Sequence, residues 1–238
     1  MARFAFRFAV FATLVVVAGA LSAELGFLSF NRPAHLRYTI RGLDVSHHQG
    51  AIDWRTVRNE DVDFVFIKAT EGVDWIDPRF DENWSGAEAA GIARGAYHFF
   101  RFCKPGEEQA AHFLATVPPE SDTLPPAVDV EYTGNCGRRS STEAIRGELE
   151  TFIEIVSDAY GRIPLIYADS DAYGRIIAGH FEDVPLWIPT LGDEPSLDND
   201  RDWTFWQHDH LGQIDGIRGQ VDLNVFAGSR WTFWRLVD

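Results

Sequence analysis

The chain is short of positive charge, of cysteine and of long apolar runs, and each shortage removes a class of function. Twenty-one Lys and Arg stand against thirty-six Asp and Glu, a formal charge of −15. A nucleic-acid partner needs a basic face, so none is expected. Much of the acidity lies in loops such as Asp193–Asp202, DEPSLDNDRD, where a solvated surface is the default explanation. Neither of the two cysteines belongs to a CxxC, HExxH is absent, and the eight histidines lack metal-ligand spacing. A zinc site is therefore not expected, and no cofactor is implied. No GxGxxG turn or P-loop opens a helix, which removes the usual nucleotide cradles. No GxSxG elbow is present, so serine-hydrolase chemistry fits poorly. The uncharged, mostly apolar stretch Phe8–Ala23 is short for a spanning helix of about 20 residues.

What is present begins with a targeting element. Arg3 and Arg7 precede the apolar stretch, and Ala18-Gly19-Ala20 supplies a small-x-small cleavage site. Glu24 interrupts the run before a second apolar patch, Leu25 to Phe30. Residues 1–30 read as a signal peptide or an N-terminal membrane anchor, 31–40 as a linker and 41–238 as one catalytic domain. Either reading places the folded part outside the cytoplasm, periplasmic or secreted, with membrane contact only through that segment. A domain of this size buries about 70–75% of its unfolded surface, so it needs no staples. Eight Trp and eighteen Phe are enough to line a sugar cleft, although most must simply fill the core.

Apolar, β-rich runs alternate with helical patterns. The strand candidates are Gly42–His47, Phe64–Thr70, Gly95–Phe100, Ala127–Tyr132, Pro164–Ala168, Leu186–Thr190, Thr204–His208 and Val221–Val225. Helical stretches lie near Trp54–Glu60, Asp81–Ala90, Pro105–Thr116, Ser141–Tyr160 and Ser170–Ala178. Pro105 with Glu107 and Glu108, and Ser141 before Glu143, are sound helix openings. Alternation implies parallel strands joined by right-handed crossovers. The last three strands lack intervening helices. The fold class is therefore α/β, an irregular TIM-like β/α barrel of eight strands and about five helices, with a doubly wound sheet as the runner-up. The repeated WTFW, at 203–206 and 231–234, is too short to indicate duplication. Cys103 follows the third strand and Cys136 the fourth. Parallel strands would put both in loops on one face, where an exported chain can bridge them.

The segment PPAVDVEY, Pro125 to Tyr132, sets Asp129 and Glu131 two residues apart. On a strand they point the same way, with Cα atoms about 6–7 Å apart, while Val128, Val130 and Tyr132 take the other face. Two acids there cost desolvation unless paired, hydrogen-bonded or wet. A salt-bridge pair and a glycosidic acid with its charge stabiliser are both open at this point. A barrel collects its active site at strand carboxyl ends. The polar groups expected there are Asp44, Ser46, His48, Lys68, Glu71, Tyr97, His98, Asp129, Glu131, Tyr167, Asp169, Gln207, Asp222 and Asn224. Some would cap helices or pair with Lys68 or arginines. Four carboxylates sharing one cleft repel, so at least one should have a raised pKa.

With those residues in view, the chain resembles glycoside hydrolase family 25, the lysozymes that cut the bacterial cell-wall glycan. The resemblance runs from about Arg41 to Leu236 on an ordered series: RGLDVSHHQGAIDW, FVFIKATEG, RGAYHFFRF, PPAVDVEY, PLIYAD, LWIPT, WTFWQHDHLGQIDGI and VDLNVFAGS. It implies hydrolysis of the β-1,4 bond between N-acetylmuramic acid and N-acetylglucosamine with retention. By position, Glu131 would be the general acid. Asp129 would stabilise charge or orient the substrate's N-acetyl group, and Asp44 and Asp222 would support them. Tyr97, Tyr167 and Gln207 match positions lining the glycan site, and Trp187 would stack on sugar or fill the core. The implied partner is peptidoglycan, and a monomer is expected. The chain departs from the family at Pro189-Thr190-Leu191 and in the loop GNCGRRSS. A non-catalytic peptidoglycan binder on the same fold is one alternative. A chitinase-like hydrolase is another, although the DGxDxDxE of that group is missing.

Overall fold

The computed structural model describes Pro33 and residues 37–136 and 140–237. The expected signal or anchor, residues 1–30, lies outside the described residues. Among the described residues nine strands are formed: β1 Arg41–Val45, β2 Phe64–Glu71, β3 Trp75–Ile76, β4 Ala93–Phe99, β5 Ala127–Val130, β6 Leu165–Ala168, β7 Leu186–Pro189, β8 Phe205–Gly212 and β9 Val221–Phe226. The α-helices among these residues are α1 Trp54–Val57, α2 Phe80–Ala89, α3 Gly106–Thr116, α4 Thr142–Tyr160, α5 Ser170–Ala172 and α6 Arg230–Val237, and a π turn, Tyr173–Ile177, continues α5. The strand order is β1-β9-β8-β7-β6-β5-β4-β2-β3, and β1 also pairs with β2. Eight strands therefore close into a barrel, and β3 hangs from β2 as a short antiparallel ribbon.

Local sequence explains the outer layer. In α4 the Ser141 side chain accepts from the Ala144 N–H, and Gly161 ends the helix at φ 66°. Between those ends Ile145, Leu149, Phe152, Ile153 and Val156 fall on one buried stripe. That stripe joins the outward faces of the strands, including Val65, Ile67, Val128, Val130 and Ile166, in the larger core cluster.

Inside the barrel, aromatic bulk fills the lower half. Phe64, Phe66, Phe205 and Phe226 pack with Ala127, Leu165 and Trp187 in a separate cluster. Two glycines make the room. A Cβ on Gly42 would lie 2.5 Å from the Phe64 ring, and one on Gly95 would lie 2.7 Å from Phe66. Phe233 of α6, fully buried, closes the amino-end face, 5.6 Å from the Phe64 ring and 5.5 Å from Phe226. The two WTFW copies thus differ in use: one leads into β8, which its last two residues open, and the other lies in the helix that plugs the barrel. Packing begins before residue 41, because Tyr38 and Ile40 are already buried.

The structure corrects several expectations. β9 runs antiparallel to both β1 and β8, so the barrel is mixed. Its connection from β8 is too short for a crossover helix, and a short link can only reverse the chain. Asp222 consequently sits at the amino end of its strand, opposite Asp44 near the carboxyl end of β1. Neither β3 nor α6 was anticipated. β1 ends at Val45 because Ser46 caps the turn His47–Gln49, its side chain accepting from the His48 N–H while Gln49 Oε1 accepts from the Ser46 N–H. β5 ends at Val130, which leaves Glu131 and Tyr132 beyond the ladder.

Candidate active site

At the mouth of the barrel a cavity of about 290 Å³ is lined by Asp44, Tyr97, Asp129, Glu131, Tyr167, Trp187, Gln207 and Asp222. These are the eight residues singled out from the sequence. They come from β1, β4, β6, β7, β8, β9 and the end of β5, and only closure of the sheet assembles them. A larger recess of about 640 Å³ opens near the strand amino ends, among Pro119, Pro125, Tyr160, Arg162, Leu165 and Leu236. It contains none of the clustered acids.

Asp44 is the best-held carboxylate. One of its oxygens accepts from Gln207 Nε2 at 2.8 Å and from Asn224 Nδ2 at 2.7 Å. Tyr167 donates to Gln207 Oε1 at 3.2 Å, and the Trp187 indole donates to Asn224 Oδ1 at 2.8 Å. Both amides are thereby oriented with their N–H groups toward Asp44. Burial pushes Asp44 up, opposed by hydrogen bonds from Asn224, Gln207 and Asp222. Asp222 is raised to about 8, by burial first and then by the charge and hydrogen bond of Asp44. With so many donors on Asp44, Asp222 is the member that keeps the proton and donates it across.

Asp129 is buried in the cavity wall, and its Oδ1 has no hydrogen-bond partner among the described residues. Burial, then the charge of Glu131, lifts it well above the usual carboxylate range, with Lys68 opposing. Glu131 is half-buried and raised to about 7, by burial and then by Asp169, again with Lys68 opposing. Lys68 projects from β2 between two aromatic faces, 4.9 Å from the Trp75 centroid and 4.8 Å from that of Phe99, and pairs with Glu71 at 2.9 Å. An ammonium clasped this way sits at a defined distance from both acids and offsets part of their mutual repulsion.

The other strand-end groups do structural work. Asp169 accepts from Ala172 N and caps α5. His48 is exposed on its turn. His98 faces the outer core, bonded to Thr70 and Gln109, and burial depresses its pKa to about 3. Trp187 is 2% exposed and stacked on Phe66 at 4.6 Å, so its indole floors the cavity and offers no open stacking face. Asn224 was noted on its strand but not placed in the site. Its signal was the two-residue spacing from Asp222, which puts both on the inner face. Among the described residues no group of three His, Cys, Asp or Glu is arranged to hold a metal ion. Cys103 and Cys136 form a disulfide with Cα atoms 6.1 Å apart, linking the loops after β4 and β5 beside the cavity.

Comparison with known proteins agrees with this geometry. The family model described as glycosyl hydrolases family 25 matches residues 43–217, a segment that stops short of Asp222. The uncharacterized protein YegX of Escherichia coli O157:H7 is 37% identical over 206 residues, covering 84% of this chain and 74% of that protein. Lysozyme M1 of Streptomyces globisporus is 34% identical over 201 residues, covering 80% and 68% respectively. The solved structure of a family 25 glycosyl hydrolase from Bacillus anthracis superposes with a TM-score of 0.81. It is 37% identical, covering 86% of this chain and 96% of that one.

Proposed function

The chain belongs to glycosyl hydrolase family 25, and from that premise we propose that this lysozyme cleaves the β-1,4 bond between N-acetylmuramic acid and N-acetylglucosamine with retention, Glu131 acting as general acid. One observation carries the reading: four carboxylates from three distant parts of the chain share a single sugar-sized cavity. Glu131, raised to about 7, keeps its proton in about half the molecules at pH 7 and can give it to the glycosidic oxygen as that bond breaks. The acetamido oxygen of the muramic acid then bonds to the anomeric carbon, forming an oxazolinium-type intermediate. Asp129, with an unpartnered oxygen, accepts the acetamido N–H, and in its ionised form it offsets the positive charge. Water adds at the anomeric carbon, Glu131 takes its proton, and the ring of the intermediate opens. Two successive inversions, the acetamido oxygen entering from one face and water from the other, return the original configuration. Asp44 and Asp222, sharing a proton, hold the opposite wall, and Tyr97, Tyr167 and Gln207 line the sugar. We assign residues 1–30 to export, so that the enzyme meets its substrate outside the cytoplasm.

The test is digestion of defined peptidoglycan and of chitin, with mass spectrometry of the fragments. Reducing-end muramic acid is expected, and Glu131→Gln should lower turnover by about 10²–10⁴-fold while leaving the fold intact. Fragments ending in reducing N-acetylglucosamine, or release from chitin alone, would overturn the assignment.

A further inference from the structure

Glu131 lies one residue past the point where the sheet can hold it. The pairing of β5 with β4 ends at Asp129 opposite Phe99, and its pairing with β6 ends at Val130 opposite Ala168. The last main-chain link to the β4 side is Phe100 N–H to Asp129 O, at 2.9 Å. Beyond it, a side chain replaces the ladder. Gly134, at φ +74°, turns the chain back and brings Asn135 beneath Glu131. The Asn135 amide donates to Glu131 O at 2.9 Å and to Phe100 O at 2.8 Å. Its Oδ1 accepts from Phe102 N–H and Cys136 N–H, both at 2.9 Å. All the hydrogen-bonding capacity of the amide is spent on joining two loop backbones.

Two further links tighten the same turn. The disulfide fixes Cys136, next to Asn135, to Cys103, next to Phe102. Arg101 Nη1 donates to Gly134 O at 2.7 Å and pairs at 3.1 Å with Glu71, which in turn holds Lys68. We propose that Asn135, locked by the Cys103–Cys136 bridge, is the positioning residue that sets the backbone of Glu131 at the barrel mouth, so that full turnover requires both the amide and the bridge. The proposal rests on Glu131 as the proton donor.

The test uses the full chain carrying Asn135→Ala, Asn135→Asp, or Cys103→Ala with Cys136→Ala. Asn135→Asp keeps the acceptor toward Phe102 and Cys136 and removes both donated bonds, but it also sets a new charge beside Glu131, so the pH profile is read from Asn135→Ala. Each Asn135 variant should lower kcat by about ten- to a hundredfold with KM within about twofold, the scale of a small misplacement of a reacting group. The pH profile separates positioning from simple loss of folded protein. Glu131 is faced by Asp44 from β1, Lys68 from β2, Asp129 from β5, Asp169 at the start of α5 and Asp222 from β9. A loosened Glu131 moves away from these acids and into water, so the descending limb should shift to lower pH. Combining Asn135→Ala with loss of the bridge should cost less than the product of the separate losses, because both act on one turn. Normal kcat and an unmoved limb in Asn135→Ala, with only a lower Tm, would overturn the proposal. So would fully multiplicative losses. An active Glu131→Gln would instead remove the general-acid reading, whatever Asn135 does.

Discussion

Raising the pH from 6 to 8 should lower kcat/KM about tenfold, because the proposed acid, Glu131, must carry its proton. With its carboxyl at about 7, roughly 90% is protonated at pH 6 and roughly 10% at pH 8. The cause is burial at the barrel mouth, reinforced by the charge of Asp169 and moderated by Lys68. A solvent-exposed glutamate would already be nearly all ionised at pH 6, and its profile would fall from near pH 4.5 upward. Initial rates on soluble glycan fragments, taken well below KM from pH 4 to pH 9, report the free enzyme. Lys68→Met supplies the internal check. Removing the cation clasped by Trp75 and Phe99 should move the midpoint to higher pH, since nothing then offsets the neighbouring acids. A descending limb centred near the ordinary glutamate value, or one that Lys68→Met moves downward, would refute the electrostatic account of the site.

Asp222→Asn should raise Tm, and more at pH 9 than at pH 5, by calorimetry. The folded carboxyl titrates at about 8, above its unfolded value of about 3.9. Its contribution to stability is thus fully present below about pH 4 and lost as pH rises through 8, a loss the neutral amide escapes. Replacing both Cys103 and Cys136 by Ala should cost about 4 kcal/mol on chain entropy for a bridge spanning 33 residues, read as a Tm lower by about 10 °C. Phe233→Ala, which opens the plug against Phe64 and Phe226, should cost about 3–5 kcal/mol in denaturant unfolding with little change in KM.

Much of this fold was legible locally. Val, Ile and Phe runs of strand length, separated by capped helical stretches such as Ser141–Tyr160, lead directly to a β/α barrel. Alternation along β5 put the valines outward, and they do pack against the helices. What escaped was non-local or too short to carry a period. β3 has two residues and exists only because it pairs with the end of β2. The helix α6 repeats the WTFW that leads into β8. The same four residues bury Phe205 in one setting and Phe233 in the other, so their surroundings choose the conformation. Trp187 illustrates the limit for sites: an aromatic near a strand end reads equally as platform or floor, and its stack on Phe66 makes it floor.

By itself the order of residues determined which chemistry was possible. The two-residue step between Asp129 and Glu131 gives both acids a common face, and flanking strands put Cys103 and Cys136 within reach of each other. Tertiary structure alone decided the reversal of β9, which sets Asp222 opposite Asp44 and lets the two share a proton. It also turned the amides of Gln207 and Asn224 onto Asp44 and left Glu131 outside the ladder. The reason is range. Hydrogen-bond periods act over a few residues, whereas neighbours separated by some 180 positions meet only when the sheet closes on itself.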